Sequence, residues 1–95
     1  MYIHVYDTHM ENSLYNKSMN SIRHKFYMHI AHSGLCENDV WTDELQDAFY
    51  NMLNAYERNE FNFLIKELID ENIILKNESL FVLTKHGQEV SKTYL

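Results

Sequence analysis

Residues 64–90 read LIKELIDENIILKNESLFVLTKHGQEV, and they pass from a helical pattern into two short apolar runs and then into a fresh helix start. Leu64, Ile65, Leu68 and Ile69 recur with Phe61 at helical spacing, which predicts a third helix with one apolar face, ending near Asn72. NIILK and SLFVLT are then β-prone runs separated by NE, a spacing that suits a tight hairpin. TKHGQEVSKTYL restarts a helix, with the Thr84 hydroxyl placed to cap its free amides.

Working outward from that unit, Met19, Ile22, Phe26 and Ile30 recur at intervals of three and four, so helix 1 is expected over Ser18–Ser33, capped by Ser18 and ended by Gly34. After the acidic loop CENDVW, Thr42 precedes DELQDAFYNML. A threonine cap with Asp43 and Glu44 in the first turn satisfies orphan amides and opposes the helix dipole. Leu45, Phe49, Met52 and Leu53 supply the buried stripe of helix 2 over Asp43–Leu53. Asn54 with Glu57 three residues on makes an asparagine version of a capping box for helix 3, with Asn59 as the alternative cap. The first residues carry YIHVY, whose alternation suggests a short strand or an arm over residues 1–17 that docks on a partner subunit. The expected fold is mainly α with a small β-hairpin: three helices, a wing hairpin and a C-terminal helix over residues 18–95.

This order resembles winged helix-turn-helix domains, in particular regulators of the MarR and PadR type. The resemblance rests on a helix ending in a leucine-rich turn, a strand, a short wing, a second strand, and Leu83-Thr84 followed by Gly87 three residues after the threonine. It spans Ser18 to Leu95. It implies that helices 2 and 3 are the helix-turn-helix pair and that Lys76 to Ser79 form the wing tip. Two departures stand out: the family more often has glycine where Asn72 stands, and YNMLNAYERN is longer than the usual turn.

A chain of 95 residues, 45% of them hydrophobic, builds one small core and one domain. No window approaches the roughly eighteen apolar residues of a membrane span, and MYIHVYDTHMEN lacks a signal-peptide pattern, so a cytoplasmic protein without a membrane partner is expected. Cys36 is the one cysteine and has no internal disulfide partner. The composition, rich in Asn, Ile, Lys and Tyr and without proline, suggests an AT-rich coding source such as a phage, which would place the protein in the host cytoplasm. No phosphate-cradling glycine loop, nucleophile elbow or ligand spacing for zinc is present, so no enzyme, cofactor or metal is expected.

Charge placement carries the functional reading. From Glu37 to Glu71 the acids are Glu37, Asp39, Asp43, Glu44, Asp47, Glu57, Glu60, Glu67, Asp70 and Glu71, against Arg58 and Lys66; ten acids and two bases give −8. The whole chain carries −6, so the remainder is +2. DNA affinity comes largely from Lys and Arg neutralising phosphates, and a net −8 across the groove-entering pair repels a duplex. The preferred reading is therefore a regulatory protein that binds a protein with a basic surface through Asp43, Glu44, Asp47, Tyr50, Glu57 and Glu60; a phage-type inhibitor of a host nucleic-acid machine would be an example. The alternative is a dimeric regulator of double-stranded DNA, reading it with Tyr56, Arg58, Asn59, Asn62 and Lys66 on one face of helix 3, with Lys76 and Lys85 near the wing and Arg23 and Lys25 on helix 1.

His24, His29 and His32 fall on helix 1 and are read as solvent-facing or dimer-facing. Phe26, Phe49, Phe61 and Phe81 fit the interior, whereas Tyr2, Tyr6, Tyr15, Tyr27, Tyr50, Tyr56 and Tyr94 are expected to lie partly exposed, as interfacial tyrosines do. The terminal arm and Val90, Tyr94 and Leu95 are the surfaces expected to form a homodimer.

Overall fold

Between residues 2 and 33 the chain carries neither glycine nor proline, and its backbone is helical throughout. The computed structural model describes the backbone of residues 2–95 and the side chains of Lys17 and residues 19–95. Its order is α1 (Tyr2–Ser33), α2 (Asp43–Asn51), α3 (Ala55–Asn59), α4 (Phe61–Asp70), β1 (Ile74–Asn77), β2 (Leu80–Leu83) and α5 (Lys85–Lys92). The fold is thus mainly α with a small antiparallel hairpin, and the described residues form five helices where four were expected.

Helix α1 starts at Tyr2 rather than Ser18, so the stretch read as a strand or arm continues the helix. Once a turn is nucleated, each added residue gains a hydrogen bond, and no breaker stops propagation here. Gly34 ends the helix at φ 72°, a conformation that glycine adopts without strain. The expected stripe Met19, Ile22, Phe26 and Ile30 is buried. Tyr27, expected to lie partly exposed, is buried as well.

Around that stripe the core is aromatic. Phe26 meets Trp41 edge to face at 5.2 Å and Phe49 at 5.8 Å, and Trp41 meets Phe49 at 5.8 Å. Such pairs contribute about 0.5–1.5 kcal/mol each beyond the area they bury. Leu53, Leu64, Leu68, Ile73, Ile74 and Leu83 complete the interior, with Phe61 and Phe81 packed partly buried at its edge.

Thr42 caps α2 as expected, its hydroxyl accepting from the Leu45 N–H at 3.2 Å. The helix closes at Asn51 instead of Leu53, which takes Met52 out of the apolar stripe and leaves it 51% exposed. The single helix expected next is two. Asn54 opens α3 with a complete capping box to Glu57, and Glu60, at φ −95° and ψ 0°, separates α3 from α4.

The hairpin pairs Ile74 with Leu83 and Asn77 with Leu80, so its turn is Glu78–Ser79, one residue later than the NE spacing suggested. Asn72, at φ 60°, occupies the left-handed conformation for which glycine is commoner; asparagine is the residue type that tolerates it next best. The loop after α1 adds a further short edge: Val40 bridges Val82, the Trp41 N–H donates to Phe81 O at 2.8 Å, and Asn38 and Asp39 exchange backbone bonds with Leu83.

Thr84 and Gly87 lock α5 to this sheet. The Thr84 hydroxyl lies 2.6 Å from Asn72 O and 2.9 Å from Ile73 O, and accepts from the Gly87 N–H at 2.9 Å. A Cβ on Gly87 would sit 2.2 Å from the Ile73 carbonyl oxygen, so only glycine fits between helix and strand.

Candidate interaction surface

The outer face of α2 follows directly from its inner one. Leu45, Gln46, Phe49 and Leu53 turn toward the core, which leaves Asp43, Glu44, Asp47 and Tyr50 exposed. Asp43, Asp47 and Tyr50, spaced i, i+4 and i+7, form one ridge, with Glu44 beside it. Among the described residues, none of the three acids takes part in an ion pair. Tyr50 ends the ridge: Phe61 meets its ring edge-on at 5.3 Å, and the Arg58 guanidinium lies over it at 5.0 Å. Arg58 Nε also donates to Tyr50 O at 3.3 Å, so this cation is laid against α2.

The acids of α3 and α4 have a different fate. Glu57, expected on the binding surface, is only 1% exposed and cannot meet a partner. Its carboxylate closes the capping box on the Asn54 N–H at 2.8 Å and accepts from Lys25 Nζ at 2.8 Å and from the Ser21 hydroxyl. Desolvation pushes this carboxyl up, but the bonds from Lys25, Ser21 and the Asn54 amide outweigh it and leave the pKa below the usual carboxylate value. Arg23 reaches from α1 to Glu67 at 3.1 Å and to Glu71. Both helix 1 cations that were assigned to DNA are therefore engaged inside the molecule. Glu60, the remaining acid assigned to the surface, is half-buried at the α3–α4 junction.

The residues assigned to base and phosphate contacts divide between elements. Tyr56, Arg58 and Asn59 stand on α3, while Asn62 and Lys66 stand on α4. Tyr56 is 74% exposed, and Asn59, Asn62 and Lys66 are exposed too, but Arg58 is turned onto Tyr50 instead of joining them. Lys76 is exposed on β1, and Lys85 is exposed at the start of α5. Phe63 was overlooked in the sequence: it is 56% exposed on α4. The signal was available, because Phe61, Leu64, Ile65 and Leu68 already occupy the inner face and leave residue 63 outside it.

The helix 1 histidines do not act as a set. His24 and His32 are exposed, whereas His29, expected toward solvent or a partner, is buried and accepts from Trp41 Nε1 at 3.0 Å. Among the described residues, no cluster of three His, Cys, Asp or Glu side chains could hold a metal ion, and no helix is long and apolar enough to cross a membrane. Of the residues assigned to a homodimer, Tyr94 stacks on Tyr27 at 4.9 Å and Val90 packs against the core, while Leu95 is exposed. The side chains of Tyr2, Tyr6 and Tyr15 lie outside the described residues.

Comparison with known proteins gives no match. No family model, curated protein or solved structure aligns with this chain.

Proposed function

We propose that the chain is a winged-helix-type regulatory domain, without catalytic activity, that docks on a protein with a basic surface through the outer face of α2. The winged-helix part is supported by the order helix, bridge, helix, helix pair, hairpin, helix, with Val40 extending the hairpin by one rung. The observation that carries the docking part is the state of Asp43, Glu44 and Asp47, exposed and, among the described residues, in no ion pair, beside a half-exposed tyrosine. Three uncompensated carboxylates speed encounter with a basic surface, and Tyr50 supplies a stiff aromatic anchor at the end of their ridge. A partner whose basic face ordinarily binds nucleic acid suits this chemistry, as for a phage-type inhibitor of a nucleic-acid machine.

A second reading, DNA recognition by α3, α4 and the hairpin, is favoured by one observation. Because Glu57, Glu67 and Glu71 are paired with α1, the outward side of α3 and α4 carries less negative charge than the sequence count suggests. It presents Tyr56, Asn59, Asn62 and Lys66, with Lys76 on the hairpin and Lys85 beyond it.

Titrating isotope-labelled protein with a Lys/Arg-rich peptide and, separately, with random-sequence duplex DNA across a salt series tests both readings. Docking through α2 predicts peptide-induced shifts at residues 43–50 that weaken with salt and vanish when Asp43, Glu44 and Asp47 are replaced by lysine. Shifts at residues 56–66 on adding DNA, with no response to the peptide, would sink the first reading in favour of the second. The solution mass of the same sample decides the expected homodimer.

A further inference from the structure

The indole of Trp41 fixes the protonation state of His29. An indole Nε1–H can only donate, so the His29 Nε2 that lies 3.0 Å from it must hold a lone pair, and the proton of the neutral ring sits on Nδ1. The pair is packed among aromatic rings, with the imidazole at the edge of a surface groove. His29 is buried and Trp41 is 1% exposed, with Phe49 5.4 Å from the imidazole and Phe26 5.2 Å from the indole. Protonating Nε2 would place two N–H donors face to face and break the bond.

The bond joins α1 to the segment that begins α2 and edges the hairpin. Trp41 donates through its backbone to Phe81 O, Val40 bridges Val82, and Gln46 Nε2 donates to Trp41 O at 2.8 Å. Thr42, the next residue, caps the helix that carries Asp43, Glu44 and Asp47. The indole side chain is thus a peg, and His29 is the socket that holds it by a hydrogen bond.

From this geometry we propose that the His29–Trp41 pair is an acid-sensitive latch that fastens residues 38–41, and with them the hairpin edge and the start of α2, to α1. The proposal stands independently of the docking reading. The groups around the imidazole favour it. On α1 the neighbouring titratable side chains are His32, which lines the same groove, and Lys25, which is bound to Glu57. Helix α2 contributes Phe49 and its C-cap residue Met52 lines the groove, while the bridging segment contributes Trp41, none of which could stabilise an imidazolium by charge. Desolvation accordingly lowers the His29 pKa below its ordinary 6.5. The latch is closed above that ordinary value and opens as pH falls through the lowered one, because the unfastened state binds the proton more readily.

Trp41 is the one tryptophan, so its emission reports the latch directly in the full chain. Emission, the His29 ring resonances and amide protection at Trp41 and Leu83 would be followed from pH 7.5 to pH 4.5. The expected result is a reversible emission change whose midpoint coincides with the His29 titration, with protection lost by up to about tenfold per pH unit as pH falls from the ordinary 6.5 to that midpoint. His32→Gln keeps the transition, and His29→Gln, which retains an acceptor but cannot titrate, removes it. An emission change that tracks another histidine, or none while His29 titrates, overturns the proposal; this wild-type comparison decides the matter even if His29→Gln folds poorly.

Discussion

Helix α2 and the α3–α4 pair both contribute acids to the same window of sequence, yet they use them in opposite ways. Asp43, Glu44 and Asp47 on α2 face water and form no ion pair among the described residues, whereas Glu57, Glu67 and Glu71 are held by Lys25 and Arg23 from α1. A charge count along the chain treats these six residues alike. What separates them is the position of α1, which lies against α3 and α4 with two cations on the contacting side. The −8 of the window is therefore an upper bound on the field any partner meets, and the field is concentrated on α2.

Glu57 gives the sharpest way to break this contrast. Glu57→Ala removes half of a capping box, the partner of Lys25 and the acceptor of the Ser21 hydroxyl, and should cost about 3 kcal/mol in denaturant unfolding. A loss no larger than that of a surface acid would mean that Glu57 is not the anchor of α3. Acid adds a second test. The Glu57 carboxyl lies below its ordinary 4.5 in the folded state, so its stabilisation is complete above that value and is lost as pH falls through the lower one. Glu57→Gln should flatten this part of the stability profile, measured by thermal unfolding between pH 5 and pH 2.5.

The same contrast marks how far the sequence could be read. Where constraints were local, they were legible: Thr42 and Thr84 as caps and Gly34 as a helix end. Asn72 stands at a left-handed position that asparagine tolerates. Glu57 carried two readings at once, as part of a capping box and as a surface acid. The choice between them depended on Ser21 and Lys25, more than thirty residues away in sequence. The break at Glu60 has no glycine or proline to announce it, and the Val40 bridge is too short to leave a strand pattern. His29 looked like any helix-surface histidine because its partner, Trp41, lies in a loop.

Smaller effects test the cations of α1. Lys25→Ala leaves Glu57 buried with its bonds from Ser21 and Asn54, but the lysine is 34% exposed and water can replace part of its role, so about 1–2 kcal/mol is expected. Arg23→Ala should cost about 1 kcal/mol or less, because Glu67 and Glu71 both keep access to solvent. Chemical denaturation of the two variants side by side measures the difference. If Arg23 proved the more important, α4 rather than α3 would be the element that α1 anchors.

The smallest effect on stability should come from the residues proposed to matter most for binding. Neutralising Asp43, Glu44 and Asp47 together, as Asn, Gln and Asn, removes no ion pair among the described residues. The acids in the first turn of α2 still interact favourably with its dipole, so the triple variant should lose about 1 kcal/mol, nearly all of it through Asp43 and Glu44. Asp47 lies beyond the first turn, and its single neutralisation should fall within about 0.5 kcal/mol of the parent. An element that keeps three like charges together without using them to hold itself in place is free to commit them to an outside partner. The pairing of near-unchanged stability with abolished response to a basic peptide is therefore the result that distinguishes a docking face from a solvated one. A triple variant that unfolds, or one that still binds the peptide, would assign these acids to the fold or to the solvent instead.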